Sequence, residues 1–152
     1  MTASQSLPVR PSLESLRKQA KKLVRAIAEG AHGDFLIGTT GAGLVRFDGG
    51  GALTKVPIAR DVTSIASLLA QPDGSLWIGT DGRGLWRRDA QGAVTQIDTG
   101  GATLVLALHR DRQGDLWAGT AGSGLLRLHQ GKLEQLSEAE VGSATVSALL
   151  ED

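Results

Sequence analysis

The feature that most constrains this chain is an internal repeat. Three stretches align in phase: GDFLIGTTGAGLVRFDG from Gly33, GSLWIGTDGRGLWRRDAQG from Gly74 and GDLWAGTAGSGLLRLHQG from Gly114. Their Gly-Thr pairs, Gly38-Thr39, Gly79-Thr80 and Gly119-Thr120, recur at spacings of 41 and 40 residues. A period of this length marks an array of supersecondary units, none able to bury its apolar surface alone. Each unit reads as a turn closing on Gly, a short apolar strand, Gly-Thr, a Gly-x-Gly turn, a strand that begins with Leu, and a polar turn. The pairs Gly41/Gly43, Gly82/Gly84 and Gly122/Gly124 suit a tight turn that needs positive φ. Leu76-Trp77-Ile78 and Leu116-Trp117-Ala118 are apolar on both strand faces, which implies burial on both.

Two more strands complete each unit. Upstream, VTSIASLLAQPDG aligns with TLVLALHRDRQG, and Leu68 matches Leu108. Downstream, AVTQID and KLEQLS alternate apolar and polar residues. Four antiparallel strands in about 40 residues is the pattern of a propeller blade. The 21 glycines and five aromatics fit many tight turns between short strands.

Residues 73–85, DGSLWIGTDGRGL, and 113–125, QGDLWAGTAGSGL, resemble the two-component regulator propeller repeat of bacterial hybrid histidine kinase sensors and related bacterial propellers. The resemblance extends over residues 31–152, and the first copy departs from it with Phe35-Leu36 where the others have Leu-Trp. The resemblance implies β-propeller blades. The kinase, transmembrane and DNA-binding segments of the larger proteins have no counterpart in this sequence, so their signalling role does not carry over with the fold.

The strands are named A to D, with A nearest the ring axis. From Gly33 the chain reads B, C, D, followed by two complete sets and a last strand A at 144–151, ATVSALLE, where Val146 and Leu149 align with Val105 and Leu108. That is three blades' worth, and propellers close with four to eight. The expected fold is therefore mostly β: three four-stranded propeller blades preceded by one amphipathic α-helix, closed into a ring by oligomerisation. A six-bladed homodimer is favoured over a nine-bladed trimer, with the C-terminal strand of each copy completing the first blade of the other.

The N-terminal 30 residues form a leader, and the propeller segment follows from residue 31. Leu13, Leu16, Ala20, Leu23 and Ile27 recur at helical spacing, Ser12 stands at the start as a cap, and Gly30 at the end, which predicts a helix over 13–29. The competing reading makes residues 23–29 a strand A, because Val24 aligns with Ile65 and Ile27 with Leu68. LPVRPSLESLRKQAKKLVRA, residues 7–26, is similar to the helical leader of some bacterial ankyrin-repeat proteins, although no ankyrin repeat follows.

Charge and composition exclude several functions. Acidic and basic residues are equal at 16 each, so the chain lacks the basic surplus that phosphate backbones require, and nucleic acid is not an expected partner. The leader carries net +4 and the rest net −4. Its basic face (Arg17, Lys18, Lys21, Lys22 and Arg25) reads as a solvated surface rather than a membrane anchor. With no cysteine, disulfides and thiolate chemistry are out. No apolar run reaches membrane-spanning length, and the N-terminus has no secretory pattern, which leads by default to a cytoplasmic expectation.

Candidate functional residues follow from the topology. Loops from every blade converge at a propeller's channel mouth, where ligands bind. The B–C loops bring Thr40, Asp81, Arg83 and Ser123, and the D–A connections bring Arg60 and Asp61, with Glu138 and Glu140 beside them. Asp81 and Arg83 differ from the other copies where repeats should agree. His32 and His109, both near A–B turns, are the metal candidates, although no H-x-H or H-E-x-x-H spacing accompanies them. HRD at 109–111 stands without other kinase motifs, and no catalytic signature is present. No cofactor is expected beyond that metal possibility, and no catalytic residue is assigned. The leading function is an oligomeric binding or assembly module that takes a small polar or carbohydrate-like ligand at the mouth. The alternative is a hydrolase or lyase of ester or phosphoester type working at the same place.

Overall fold

The computed structural model describes residues 24–30 and 32–151. Three four-stranded antiparallel sheets follow one another along the chain. Blade 1 holds β1 (Val24–Glu29), β2 (Phe35–Thr39), β3 (Leu44–Phe47) and β4 (Leu53–Val56). Blade 2 holds β5 (Ile65–Ala70), β6 (Leu76–Thr80), β7 (Leu85–Arg88) and β8 (Val94–Ile97). Blade 3 holds β9 (Val105–Arg110), β10 (Leu116–Thr120), β11 (Leu125–His129) and β12 (Lys132–Leu136). One helical turn, α1 (Glu138–Val141), follows blade 3. The expected propeller blades are therefore present, each a meander in strand order A-B-C-D.

The helix expected over 13–29 is corrected where it can be seen: residues 24–29 are β1, paired with β2 so that Ile27 faces Ile37 and Ala28 faces Leu36. Helix propensity differs by only a few tenths of a kcal/mol per residue among Ala, Arg, Val and Ile. Leaving one edge of β2 without a partner forfeits a whole row of backbone hydrogen bonds. Pairing with β2 therefore overrides the local preference. Residues 13–23, and with them most of the ankyrin-like leader, lie outside the described residues.

Because β1 fills the innermost position of blade 1, that position does not need the C-terminal segment of another copy. Residues 144–151 instead lie against blade 3 of their own chain without forming a strand. Gly124 N–H donates to Ala144 O at 2.8 Å, Val146 N–H donates to Thr120 O at 2.8 Å, and Thr145 makes a single bridge to Ala121. The same bridge joins Thr40 to Ser64 and Asp81 to Leu104 at the starts of the second and third blades. Thr145 thus makes at blade 3 the bridge that Ser64 and Leu104 make just ahead of β5 and β9.

The core lies between blades. One cluster joins Ala28, Leu44 and Val56 of blade 1 to Val62, Ile65, Leu76 and Ile78. The other joins Leu85 of blade 2 and Ala102 to Val105, Leu116, Ala118 and Leu126 of blade 3, with Leu69, Trp77, Leu108, Leu128 and Leu133 packed around it. Blade 2 thus packs a forward face on blade 3 and a backward face on blade 1, while blade 1 contributes a forward face and blade 3 a backward one. This is the burial on both faces that the doubly apolar strands predict, and it makes Trp77 an inter-blade packing residue.

The Gly of each Gly-Thr pair is required by blade-to-blade approach rather than by φ. A Cβ on Gly38 would overlap Ile65 of the next blade, one on Gly79 would sit 2.7 Å from the Val105 carbonyl oxygen, and one on Gly119 would overlap the Val146 carbonyl. The paired Thr closes the B–C turn. Thr80 Oγ1 donates to Gly84 O at 2.8 Å and accepts from Arg83 N–H at 3.0 Å. Thr39 and Thr120 do the same in their blades. Gly82 and Gly84 take φ of 102° and 70°, as that turn demands.

Candidate functional site

Strands A and C run one way and B and D the other, so the B–C turns and D–A connections share one end of the arc. Here the structure brings together residues of blades 1 and 2. Arg83 Nη1 lies 3.2 Å from Asp61 Oδ2, and Arg25 Nη1 lies 3.7 Å from Asp81 Oδ2. All four side chains are about half exposed. The Arg83 carbonyl accepts from Trp86 Nε1 at 2.9 Å and from Gln96 Nε2 at 3.0 Å, which fixes the loop that carries the guanidinium. Thr40 is held by its bridge to Ser64, and Ser123 by its N–H bond to Thr120 Oγ1 and its carbonyl bond from Gln135 Nε2. Arg60 is exposed on the blade 1–2 connection. Glu138 opens α1, and Glu140 caps it by accepting from Ser137 N–H at 2.7 Å, which holds its carboxyl below the usual range.

Of the mouth candidates, Asp61, Asp81 and Arg83 are therefore drawn into a cluster of two charge pairs that straddles two blades, Asp61–Arg83 and, with Arg25, Arg25–Asp81, while Thr40, Arg60 and Ser123 stay outside them. Arg25 was missed as a member because the helical reading put it on a leader face. Its strand alignment with blade 2 was the signal that could have found it. Such a cluster can hold a small polar ligand by exchanging internal pairs for ligand hydroxyls or charges.

The opposite end, with the A–B and C–D turns, carries a device repeated in the blades. Arg127 stacks over Trp117 at 5.2 Å and donates to Asp115 through Nε at 2.9 Å. His129 Nδ1 lies 2.7 Å from the other Asp115 oxygen. The His129 hydrogen bond, then that from Arg127, holds the Asp115 carboxyl below the usual carboxylate range. Trp117 Nε1 donates to Asp111 Oδ2 at 2.7 Å, so the Asp of the HRD triplet serves its own turn. In blade 2, Arg87 stacks over Trp77 at 5.7 Å and pairs with Asp73 at 3.8 Å. In blade 1, Arg46 pairs with Asp34.

The two metal candidates are not assembled into a common site. His32 lines a cleft between blades 1 and 2, whereas His109 Nε2 lies 3.4 Å from Glu151 Oε2 of the C-terminal segment. Among the described residues, no three His, Cys, Asp or Glu side chains are grouped to hold a metal ion. No helix among them is long and apolar enough to cross a membrane.

Comparison with known proteins agrees with this architecture. Residues 100–122 match the family model of the two component regulator propeller. No curated protein sequence matches the chain. Among solved structures, the extracellular domain of the one component system BT4673 from B. thetaiotaomicron is similar at TM-score 0.66 and 23% identity, over 85% of this chain and 19% of that one. The extracellular domain of the hybrid two component system BT3049 from the same organism gives 0.66 and 22%, over 78% and 17%. Virginiamycin B lyase from Staphylococcus aureus gives 0.64 and 16%, over 76% and 41%. The chain thus spans less than half the length of each. The cytoplasmic expectation is corrected by these neighbours. It rested only on the lack of a secretory pattern, whereas the similar propellers of BT4673 and BT3049 are extracellular domains. The fold and the phased repeats converge: the chain holds three β-propeller blades, and residues 100–122 of it match the two component regulator propeller.

Proposed function

We propose that this chain is a non-enzymatic binding and assembly module, in which two copies join head to tail as a six-bladed ring around a polar mouth. The observation that carries the assembly half is the backward face of blade 1. Its positions Ile27, Phe35, Ile37, Val45, Phe47 and Leu53 are the repeat equivalents of Leu108, Leu116, Ala118, Leu126, Leu128 and Leu133. The blade 3 set packs in the core against blade 2. The blade 1 set has no blade behind it among the described residues, and Ile27, Phe35 and Leu53 are 61%, 40% and 61% exposed. A contiguous apolar face of this kind marks an interface. The surface whose shape matches it is the forward face of blade 3, since forward and backward faces already pack on each other twice within the chain.

Light scattering on the intact chain tests this. A mass of about 32 kDa, two copies of the 15.8 kDa chain, is expected. A 15.8 kDa species at high micromolar concentration contradicts it. Residues 144–151 sharpen the reading, because they occupy the slot that β1 of a second copy would take. Deleting them should tighten association. Abolished association would instead favour exchange of the C-terminal strand.

The binding half rests on the Arg25–Asp81 and Asp61–Arg83 cluster at the channel mouth. Small sugars and polar metabolites are the probes, and Arg83→Ala should weaken any that binds there. The hydrolase or lyase alternative has in its favour the likeness to virginiamycin B lyase, which is one of fold. Ester turnover abolished by chelator or by His109→Ala would move the proposal to that alternative.

A further inference from the structure

We infer that the cleft between blades 1 and 2, on the face away from the proposed mouth, is a binding site for a small organic carboxylate, with Arg88 as its anchoring cation. This is independent of the mouth and of the oligomeric state.

The argument starts from repeat position. Phe47, Arg88 and Leu128 are equivalent residues on strand C, opposite Phe35, Leu76 and Leu116 respectively. The fold calls for hydrocarbon here: Leu128 packs into the core between blades 2 and 3. In blade 2 the position instead carries a guanidinium, directed at blade 1 in a cavity of about 410 Å³. Its Nε is buried and has no hydrogen-bond partner among the described residues. A buried donor on a permanently charged group is left without a partner only where something else supplies one.

The other charges of the cleft are already paired, which leaves Arg88 as its uncompensated cation among the described residues. Burial pushes the Asp34 carboxyl up, but the hydrogen bond and charge of Arg46, together with backbone N–H bonds, outweigh it and keep the carboxyl below the usual range. Asp73 accepts from Ser75 Oγ at 2.6 Å and from Ser75 N–H at 2.9 Å and is paired with Arg87, and these contacts likewise hold its carboxyl low. Both carboxylates stay ionised and engaged. A ligand carboxylate therefore meets Arg88 as the available cation, and the planar guanidinium suits two-point capture of that group. His32 lines the same cavity as a second polar contact. Leu36, Val56 and Pro72 give it an apolar wall. A cation facing a hydrocarbon wall fits an acid with an apolar or ring-shaped body better than a bare inorganic anion. The volume is within the range of small-ligand sites.

The test is calorimetric or NMR titration of the full chain with benzoate, glucuronate and inorganic phosphate, repeated on Arg88→Leu and Arg88→Lys. Arg88→Leu installs the residue found at the equivalent blade 3 position, so it should fold at least as stably as the parent. Saturable binding of a carboxylate, weakened at least about tenfold by Arg88→Leu, is the expected result. Arg88→Lys should retain part of the affinity, because it keeps the charge and loses the two-point geometry. Phosphate binding as tight as the carboxylates would overturn the assignment of ligand class. No saturable binding by the parent chain, or binding unchanged in Arg88→Leu, would overturn the site. Should Arg88→Leu fail to fold by circular dichroism, chemical-shift changes at Arg88 and His32 in the parent chain decide: their presence supports the site and their absence overturns it.

Discussion

Blade 3 and blade 1 carry the same apolar positions with opposite fates. In blade 3 the backward-facing residues Leu116, Ala118 and Leu126 are buried against blade 2. In blade 1 the equivalents Phe35, Ile37 and Val45 are exposed or half-buried. The chemistry of the two sets is alike, so the difference lies in what covers them. A propeller blade is two-sided, and each interface needs a forward face and a backward face. An arc of three blades satisfies two interfaces and leaves one face of each kind at its ends, which is why the blade 1 face reads as a docking surface.

The comparison can be broken by substitution. The largest effect is expected at Leu116→Ala, which should cost about 2–5 kcal/mol in chemical denaturation, whereas Phe35→Ala should cost less than about 1 kcal/mol in dilute protein. Equal costs would mean that the blade 1 face is covered in the free chain. Next come the glycines. Gly79→Ala pushes a methyl into the Val105 backbone of the next blade and should cost about 3 kcal/mol. Gly82→Ala has open space around it and pays only for its φ of 102°, about 1 kcal/mol. A reversed order would remove the close-approach account of the Gly-Thr motif.

The third expectation concerns pH. Asp115 has a carboxyl pKa below its ordinary 3.8, chiefly through His129 and Arg127, so it stabilises the fold at neutral pH. That contribution is lost as the pH falls from 3.8 toward the lower folded value, because the unfolded chain takes up the proton first. Asp115→Asn should flatten the acid limb of the stability curve, and an unchanged acid limb would mean the pairing contributes nothing. The smallest effect is Arg83→Ala. It breaks an exposed pair with Asp61 and should change stability by less than about 1 kcal/mol, while still weakening ligands at the mouth.

Much of the fold was legible because the repeat is written in residues with few alternatives. The pair Gly79-Thr80 meets both a methyl-free close approach and a hydroxyl to close the turn, and only Gly followed by Thr or Ser supplies both. β1 was harder to read. Val24–Glu29 is composed of residues that suit either structure, and its periodicity joins that of the leader. Only the open edge of β2, a tertiary fact, decides it. The C-terminal segment was expected as a strand A that completes the first blade of another copy, whereas among the described residues it makes a single bridge to its own blade 3 and β1 fills that position in blade 1. At the candidate site, the loops that would converge followed from topology. The pairing of Asp81 with Arg25 and of Arg83 with Asp61 did not, because it depends on where two blades meet. The Arg88 cleft left a faint mark in the sequence: a charge at a position that its two repeats fill with Phe and Leu.

The most direct measurement uses the absence of cysteine. Leu44 shares a core with Leu76, and Leu85 shares the next with Leu116, so head-to-tail packing places Leu125 of one copy against Phe35 of another. Two single variants, Phe35→Cys and Leu125→Cys, are mixed under mild oxidation and run on a non-reducing gel. The account predicts a disulfide-linked heterodimer of the two variants, well above the yield of either variant alone. Cross-links that form equally well within the Phe35→Cys protein by itself, or none at all, would contradict the forward-to-backward packing on which the assembly rests.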